Sequence, residues 1–380
     1  MALVEAIAHD AASQPSFDER TTALSNASRR VFDTLGLWPA IASAATPIAK
    51  IHVSDQGHFG FARIDAALQG LDALGYVVPN RALGAALWGR MATNPALRVF
   101  CPAQVLKITP GEVSSQVSVS EAGGAPIEFG TKLVVAADGV QSMAREAFGI
   151  ENSVRDYAQT AVITTVVPER FHNHVAYERF TRSGPLALLP LDNGRCTLVL
   201  TLSPELALQA VDWSDAKFLS EVQGRFGFRL GRFLQVGRRV PYPLLLSVAD
   251  RTTSGRSVIL GNAAQGLHPI AGMGFNLGLR DVACLAELIA DYRARGVLDA
   301  GDPTLLKEYD SWRSSDRRGI IAFTDGLVRT FSSPLRLVGG LRNLALLAFD
   351  VLPPAKSALS RLSSGAARRV PKLARGVRLV

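Results

Sequence analysis

Gly261-Asn-Ala-Ala-Gln-Gly-Leu-His268-Pro269-Ile-Ala-Gly272-Met273-Gly274-Phe-Asn276 lies between an apolar run, Ser257-Val-Ile-Leu260, and a segment of helical periodicity, Phe275 to Tyr292. In that segment Leu279, Val282, Leu285, Ala286 and Ile289 recur on one face. Strand, glycine-rich loop and long helix in that order are typical of nucleotide-binding α/β sheets. Gly272 and Gly274 have no Cβ, so the backbone there can approach a flat ligand closely. A helix starting near Gly274 offers free N–H groups and the positive end of its dipole. Such an end favours an anionic group by about 0.3–2 kcal/mol. A glycine-rich turn without chemistry would carry the same letters, so the loop alone leaves both readings open.

Working outward, Lys132-Leu-Val-Val-Ala-Ala137 reads as a buried strand that ends in Asp138-Gly139 and leads into a helix from Ser142 to Phe148. Asp-Gly after a strand is a common turn; Ser142 as N-cap and Arg145 make this one more specific. Met1 to Ala6 reads as another buried strand, ending in Glu5. In dinucleotide folds an acid so placed hydrogen-bonds a ribose hydroxyl. Arg20, in Phe17-Asp18-Glu19-Arg20, has the charge to meet a pyrophosphate. Helices are expected from Ser25 to Leu35, stopped by Gly36, and from Arg81 to Met91. Between the two α/β parts the pattern changes. Ala161–Val167, Val175–Thr181, Pro185–Leu191 and Cys196–Leu202 are strand-like, closely spaced and separated by turns such as Asp192-Asn-Gly194, which predicts an antiparallel sheet. A helix from Ser214 to Phe226 follows.

The 380 residues are 48% hydrophobic, enough for a large core. The formal net charge of +8 is concentrated at one end. Phe331 to Val380 holds nine Lys or Arg and one acid, and the rest is balanced at 32 of each sign. A neutral body argues against nucleic acid as partner. A basic, partly apolar tail points to an anionic membrane surface or an acidic partner, or packs on the body with its cations in water. If the tail meets a membrane, deleting Ala355 to Val380 is expected to weaken that contact while leaving the fold intact. Cys101, Cys196 and Cys284 are odd in number and widely spaced, so neither a disulfide framework nor a zinc pattern follows, and a reducing cytoplasm is the simplest location. His172 and His174 put two imidazoles on one strand without a third ligand nearby in sequence. No signal peptide and no uninterrupted apolar span is evident.

Taken together, these segments resemble the para-hydroxybenzoate-hydroxylase-like flavoprotein monooxygenases, and among them the ubiquinone-biosynthesis branch. The resemblance covers nearly the whole chain. Its most specific markers are Ile51-His-Val-Ser-Asp-Gln-Gly57-His-Phe-Gly60 and Tyr177-Glu-Arg-Phe-Thr181 with Gly184-Pro-Leu-Ala-Leu-Leu-Pro190, beside Phe17–Arg20, the Asp138-Gly139 stretch and the Gly261–Asn276 loop.

The resemblance implies an α/β (α+β) fold: a Rossmann-like FAD-binding domain (1–50, 75–150 and 251–330), an inserted antiparallel-sheet substrate domain (51–74 and 151–250), and a helical C-terminus with a basic amphipathic segment (331–380). It implies bound FAD, NAD(P)H as co-substrate, O2, and a polyprenylated phenol as substrate, with the 161–202 sheet as its apolar roof. A ubiquinone-biosynthesis protein complex and the face of an inner membrane are implied as surroundings. By position, Glu5 matches the ribose-binding acid and Arg20 an arginine near the FAD phosphate and sugar. Asp138 and Gly139 match a motif that touches FAD. Gly261 and Asn262 match a pair that usually reads Gly-Asp and holds the ribityl chain; Asn still donates and accepts hydrogen bonds. Pro269, Gly272, Met273, Gly274 and Asn276 fall along the flavin, Met273 where Gln is common. No catalytic side chain is required; His268 or His52 could relay a proton or be structural. The family opens with a strand and a Gly-x-Gly-x-x-Gly turn some 20 residues before the acid, and this sequence carries neither, so that an upstream coding segment or a truncation is expected. The same motifs also fit a flavin hydroxylase of another aromatic, or a non-catalytic subunit of a biosynthetic complex.

Overall fold

The computed structural model describes residues 1–9, 20–121, 123–332 and 369–379. Its centre is a nine-stranded sheet. Across the sheet the strands run β20 (Gln265–Gly266), β17 (Val240–Ala249), β12 (Asn152–Pro168), β15 (Cys196–Leu202), β14 (Gly184–Pro190), β13 (Val175–Thr181), β4 (Lys50–Asp55) and β5 (Phe61–Asp65), with β16 (Phe233–Val236) added beside β12. Antiparallel pairing dominates, as the turn spacing predicts, with one exception: β13 and β4 are parallel, Glu178 facing Val53. On the outer face helices α5 (Pro204–Asp212) and α6 (Asp215–Phe226) cover a core of Leu186, Leu188, Leu198, Leu200, Phe218 and Phe226.

The remaining sheets are small. β2 (Thr21–Ser25), β6 (Gly75–Pro79) and β3 (Thr46–Ile48) form one, against α1 (Asn26–Thr34), α2 (Trp38–Ala42) and α3 (Asn80–Ala92). β8 (Ala103–Thr109), β9 (Ser115–Glu121) and β10 (Ile127–Thr131) form a meander. Two parallel pairs carry the Rossmann-like order: β1 (Ala2–Val4) with β7 (Arg98–Phe100), and β11 (Val134–Ala136) with β19 (Ser257–Ile259), the latter extended by β18 (Thr253–Ser254). Val4 and Val134 pack in the same apolar cluster, yet among the described residues no hydrogen bonds join β1 to β11. This corrects the expectation that both are buried strands. Ala2 is exposed, Leu3 and Val4 are only partly buried, and Val135 is 47% exposed, because among the described residues each strand has a neighbour on one side only. Short α4 (Met143–Ala147) starts as expected on Ser142, whose hydroxyl accepts from the Arg145 N–H.

Two long helices close the fold, α7 (Met273–Ala294) and α8 (Pro303–Ser332). Their contact is both apolar, through Leu285, Leu288, Leu305 and Tyr309, and ionic. Asp281 on α7 accepts from Arg313 Nε on α8 at 2.6 Å and from Gln265 Nε2 on β20 at 2.9 Å. Asp316 accepts from Arg313 and Arg280 at 2.6 and 2.7 Å. Asp281 and Arg313 are each 2% exposed.

Residues 333–368, most of the basic tail, lie outside the described residues. Residues 369–379 pack on α1 and α7: Leu373 and Ala374 join Val31 and Ala283 in one cluster. Lys372 pairs with Asp291 at 2.6 Å, Arg369 with Glu287 and Glu308 at 3.5 and 3.3 Å, and the Thr34 hydroxyl donates to Leu373 O. At this end the tail packs on the body, which changes the expectation that it is removable without consequence.

Two outcomes follow. Arg313→Leu leaves the Asp281 carboxylate buried without its cation and lowers stability by about 3–5 kcal/mol in chemical denaturation; a loss under about 1 kcal/mol would show that the pair does not hold the two helices. Deleting residues 369–380 removes a buried leucine and three ion pairs and destabilises by about 2–4 kcal/mol, mostly from the leucine. An unchanged melting curve would show that the segment is not docked in solution.

Candidate functional site

The loops singled out in the sequence converge between α7, α4 and the inner face of the large sheet. Arg145, 5% exposed, ties two of them: Nη1 donates to Ala263 O at 3.0 Å and Nη2 to Val140 O at 2.8 Å. Asp138 Oδ2 accepts from the Ala144 N–H at 3.2 Å, so its carboxylate holds the start of α4. A Cβ on Gly266 would sit 3.1 Å from Val140, which shows how close the two turns run.

The end of the glycine-rich loop is tied to β2. Asn276 Oδ1 accepts from the Ser25 N–H at 2.8 Å, and Nδ2 donates to Ala23 O at 2.8 Å and Gly272 O at 2.7 Å. Its amide is fully committed to backbone, so Asn276 shapes the loop and has no amide hydrogen left for a flavin. Gly272 has φ +58°, and a Cβ there would stand 3.0 Å from the Ala23 methyl. The closeness this glycine permits is to β2. Met273 is buried with Leu277 and Ile320, leaving its backbone for any ligand contact.

Gly139, Gly261 and Gly274 differ from Gly272: an added Cβ would find no protein atom within 4 Å. Asn262 and Pro269 are exposed beside them. Helix α7 begins at Met273 with no side chain capping its first N–H groups. Open glycines around an uncapped start of a 22-residue helix fit a flat anionic group approached by backbone. Arg20, just before β2, lies over the Tyr242 ring at 5.1 Å, at the edge of the same region. Glu5 is not brought to these loops by any described contact. Its carboxylate accepts from the Ile7 N–H at 3.0 Å, and its backbone bonds to Phe100 and Ala103.

Facing the loops is the inner face of the sheet. Ala176 packs on Val77 of β6 and Phe180 on Ile270 of the loop, with Tyr157 alongside. Thr197 meets Thr21 of β2 at 3.0 Å. His268 lies 1% exposed, edge-on to Tyr157 at 5.4 Å; burial holds its pKa down at about 4, so it is neutral at physiological pH. His52 is on the outer face, between Tyr177, Phe61 and the Arg229 guanidinium. His172 has both ring nitrogens engaged, with Leu191 O at 2.8 Å and the His174 N–H at 3.1 Å, which leaves none for a metal.

Sequence reasoning assigned no role to Glu178, the middle residue of Tyr177-Glu-Arg. It sits on the inner face between Val53 and Ala187. Burial pushes its carboxyl up to about 8. The available signal was an acid in the middle of an otherwise alternating strand.

A sequence profile described as "FAD binding domain" matches residues 3–324. Curated relatives include a ubiquinone hydroxylase, UbiL, of Rhodospirillum rubrum, 37% identical over 96% of this chain and 84% of that protein. The 3-demethoxyubiquinol 3-hydroxylase of Escherichia coli is 31% identical over 89% of this chain and 84% of its own. Among solved structures, p-nitrophenol 4-monooxygenase PnpA of Pseudomonas putida superposes with a TM-score of 0.77 over 97% of this chain and 92% of that one, at 18% identity, a likeness of fold. With that fold, these glycine loops and this degree of relatedness, the chain belongs to the FAD-binding family of flavin-dependent monooxygenases.

Proposed function

We propose that the chain hydroxylates the aromatic ring of a polyprenylated phenol in ubiquinone biosynthesis, with NAD(P)H as reductant and O2 as oxygen donor. The observation that carries the reading is the placement of open glycines at the start of α7 on a loop that packs, through Ile270 and Phe180, on the largely apolar inner face of the nine-stranded sheet. Relatives named as ubiquinone hydroxylases support the substrate class. Within that branch the motifs resemble most the 2-octaprenyl-6-methoxyphenol hydroxylase type.

FAD supplies the redox chemistry by which one oxygen atom of O2 reaches the ring. The chain's own residues bind and orient. Gly261 and Asn262 would hold the ribityl chain, Arg20 the phosphate and sugar, and Glu5 the ribose. Asp138 and Gly139 would border the cofactor, and Pro269 with the backbone of Gly272, Met273 and Gly274 would lie along the ring system. Asn276 and Arg145 would keep these loops in place. The apolar inner face excludes water and orients the phenol.

The reading is tested by supplying FAD, NAD(P)H, a prenylated phenol and isotopically labelled O2; one labelled oxygen in the product is expected, and NAD(P)H oxidation without it would refute the assignment. Two glycine variants test the placement of the cofactor. At Gly274 an added Cβ meets no protein atom within 4 Å, so Gly274→Val is expected to keep the fold and to lose FAD. At Gly272 the added methyl meets Ala23 at a positive φ, so Gly272→Ala loses stability first. Full flavin absorbance in Gly274→Val would remove the ring from this position.

The same reading puts the chain at an anionic membrane surface, where a prenylated phenol resides, through the basic segment 331–380. No helix among the described residues is long and apolar enough to cross a membrane. Sedimentation with anionic vesicles at low salt and release at high salt is expected, because surface charge is screened beyond about 10 Å at 0.1 M. Binding indifferent to salt would count against a charge-driven contact.

A further inference from the structure

We infer that the carboxyl of Glu178 binds the ring hydroxyl of the aromatic substrate and holds the ring between the sheet and the Ile270–Met273 segment of the loop. The inference rests on the proposed function for the class of substrate and adds the residue that recognises it.

Residues two apart on a strand share a face. Ala176 packs against Val77 and Leu191, and Phe180 packs against Ile270 and Val328. Glu178 lies between them on the same face, so it looks into the space where β6 and the glycine-rich loop meet the sheet. Its cross-strand neighbours, Val53 and Ala187, are small or medium and apolar. The Glu178 carboxyl is densely surrounded by protein, while the residue as a whole is only partly buried, as one lining a crevice is. The adjacent cation is no partner: Arg179 points to the outer face, where it donates to Arg225 O at 2.8 Å and Ser54 Oγ at 3.2 Å. Titratable groups on the surrounding elements are Asp55 on β4, held by His58 at 3.0 Å, Tyr157 on β12, and His268 on the loop.

An acid in such a place weakens the fold, since ionisation without a partner in low dielectric is unfavourable. A leucine there would serve the core better. The placement is explained if a ligand brings the missing donor. A phenol O–H does so: the hydroxyl donates to a carboxyl oxygen, which stabilises the ionised form of the acid, and electron density on the ring rises as the O–H bond polarises. Burial brings the carboxyl to about 8, closer to a phenol's ordinary value of about 10 than a free carboxylate is, so the proton is shared more evenly. In full transfer, open to the ionised fraction of the carboxyl that grows as pH rises through about 8, the O–H bond breaks, the proton goes to a Glu178 carboxylate oxygen, and the electron pair stays on the phenolate.

The test uses the full chain loaded with FAD and two probes, 2-methoxyphenol and 1,2-dimethoxybenzene, which differ in the hydroxyl. Binding is read from the change in flavin absorbance. The parent should prefer the phenol at least tenfold. Glu178→Leu should lose that preference while holding the dimethoxy probe within about threefold, and Glu178→Gln should keep part of it, since an amide oxygen still accepts. A preference that survives in Glu178→Leu, or a parent that does not discriminate, overturns the inference and leaves the proposed function standing. A parent that binds neither probe removes the aromatic crevice and both readings together.

Stability provides an independent measure. The folded carboxyl binds its proton more tightly than the unfolded one, at about 8 against 4.5. Stability is therefore fully present at low pH and is lost as pH rises from 4.5 through about 8. Without ligand, Glu178→Gln should gain on the parent across that window. A difference flat from about pH 5 to 9 would place the carboxyl in water and overturn the inference.

Discussion

A carboxylate at 2% exposure has to be matched by fixed partners, and those of Asp281 lie on two other elements, Arg313 on α8 and Gln265 on β20. The geometry of the site depends on that match. Gln265 lies in the first part of the loop that reaches Gly274, and Asp281 lies two turns into the helix that the loop starts. The loop and its helix are thus pinned to one buried charge. Because β20 also pairs with β17, the same charge links the large sheet to α7. A buried ion pair is weak evidence for net stability, since desolvation offsets most of the attraction. Its value here is geometric: few arrangements of α7, α8 and β20 leave the charge satisfied.

Within that frame the glycines divide by what faces them. Gly266, Gly272 and Gly278 are needed because protein lies against them: Val140, Ala23 and the Gly261 backbone all come within 3.1 Å of an added Cβ. Gly139, Gly261 and Gly274 face open space. The first set lets the loop pack on β2, on the Asp138 turn and on its own helix; the second leaves backbone accessible at the helix start. A glycine-rich loop therefore serves two purposes at once, and only the second concerns a ligand.

Much of the fold was legible locally. The helices on Ser25, Ser142 and Ser214 begin where a serine hydroxyl accepts from an N–H three residues on, a preference that belongs to the residue itself. Strands of the large sheet follow from alternation and turn spacing. Features set by distant neighbours were hidden. The parallel pairing of β13 with β4 joins segments more than a hundred residues apart, and no letter in either declares its direction. The exposure of Val135 depends on whether a strand lies beside β11. Asn276 reads as a ligand contact until its amide is seen spent on Ser25, Ala23 and Gly272. Glu178 was quoted as part of a motif, but its meaning depends on what stands opposite, which the strand itself does not say.

The charges of the crevice narrow the substrate further than its apolar lining does. By register, the inner faces of β4, β13 and β14 carry two acids, Asp55 and Glu178, and no cation. Asp55 is occupied by His58. Burial keeps the Glu178 carboxyl largely protonated at neutral pH, so this part of the sheet offers a benzoate no cation to pair with, and a carboxylate set there would be poorly solvated and would suppress the ionisation of Glu178 further. A neutral phenol meets no such penalty and contributes the donor that the ionised form of the acid lacks. Under the inference drawn for Glu178, recognition of the hydroxyl is the work of that side chain, while the poor solvation of an anion comes from the apolar surroundings, Val53 and Ala187 among them, and from the lack of a cation on these faces. A long prenyl chain adds apolar surface without adding charge, so it raises affinity for the same walls without altering the selection at the ring.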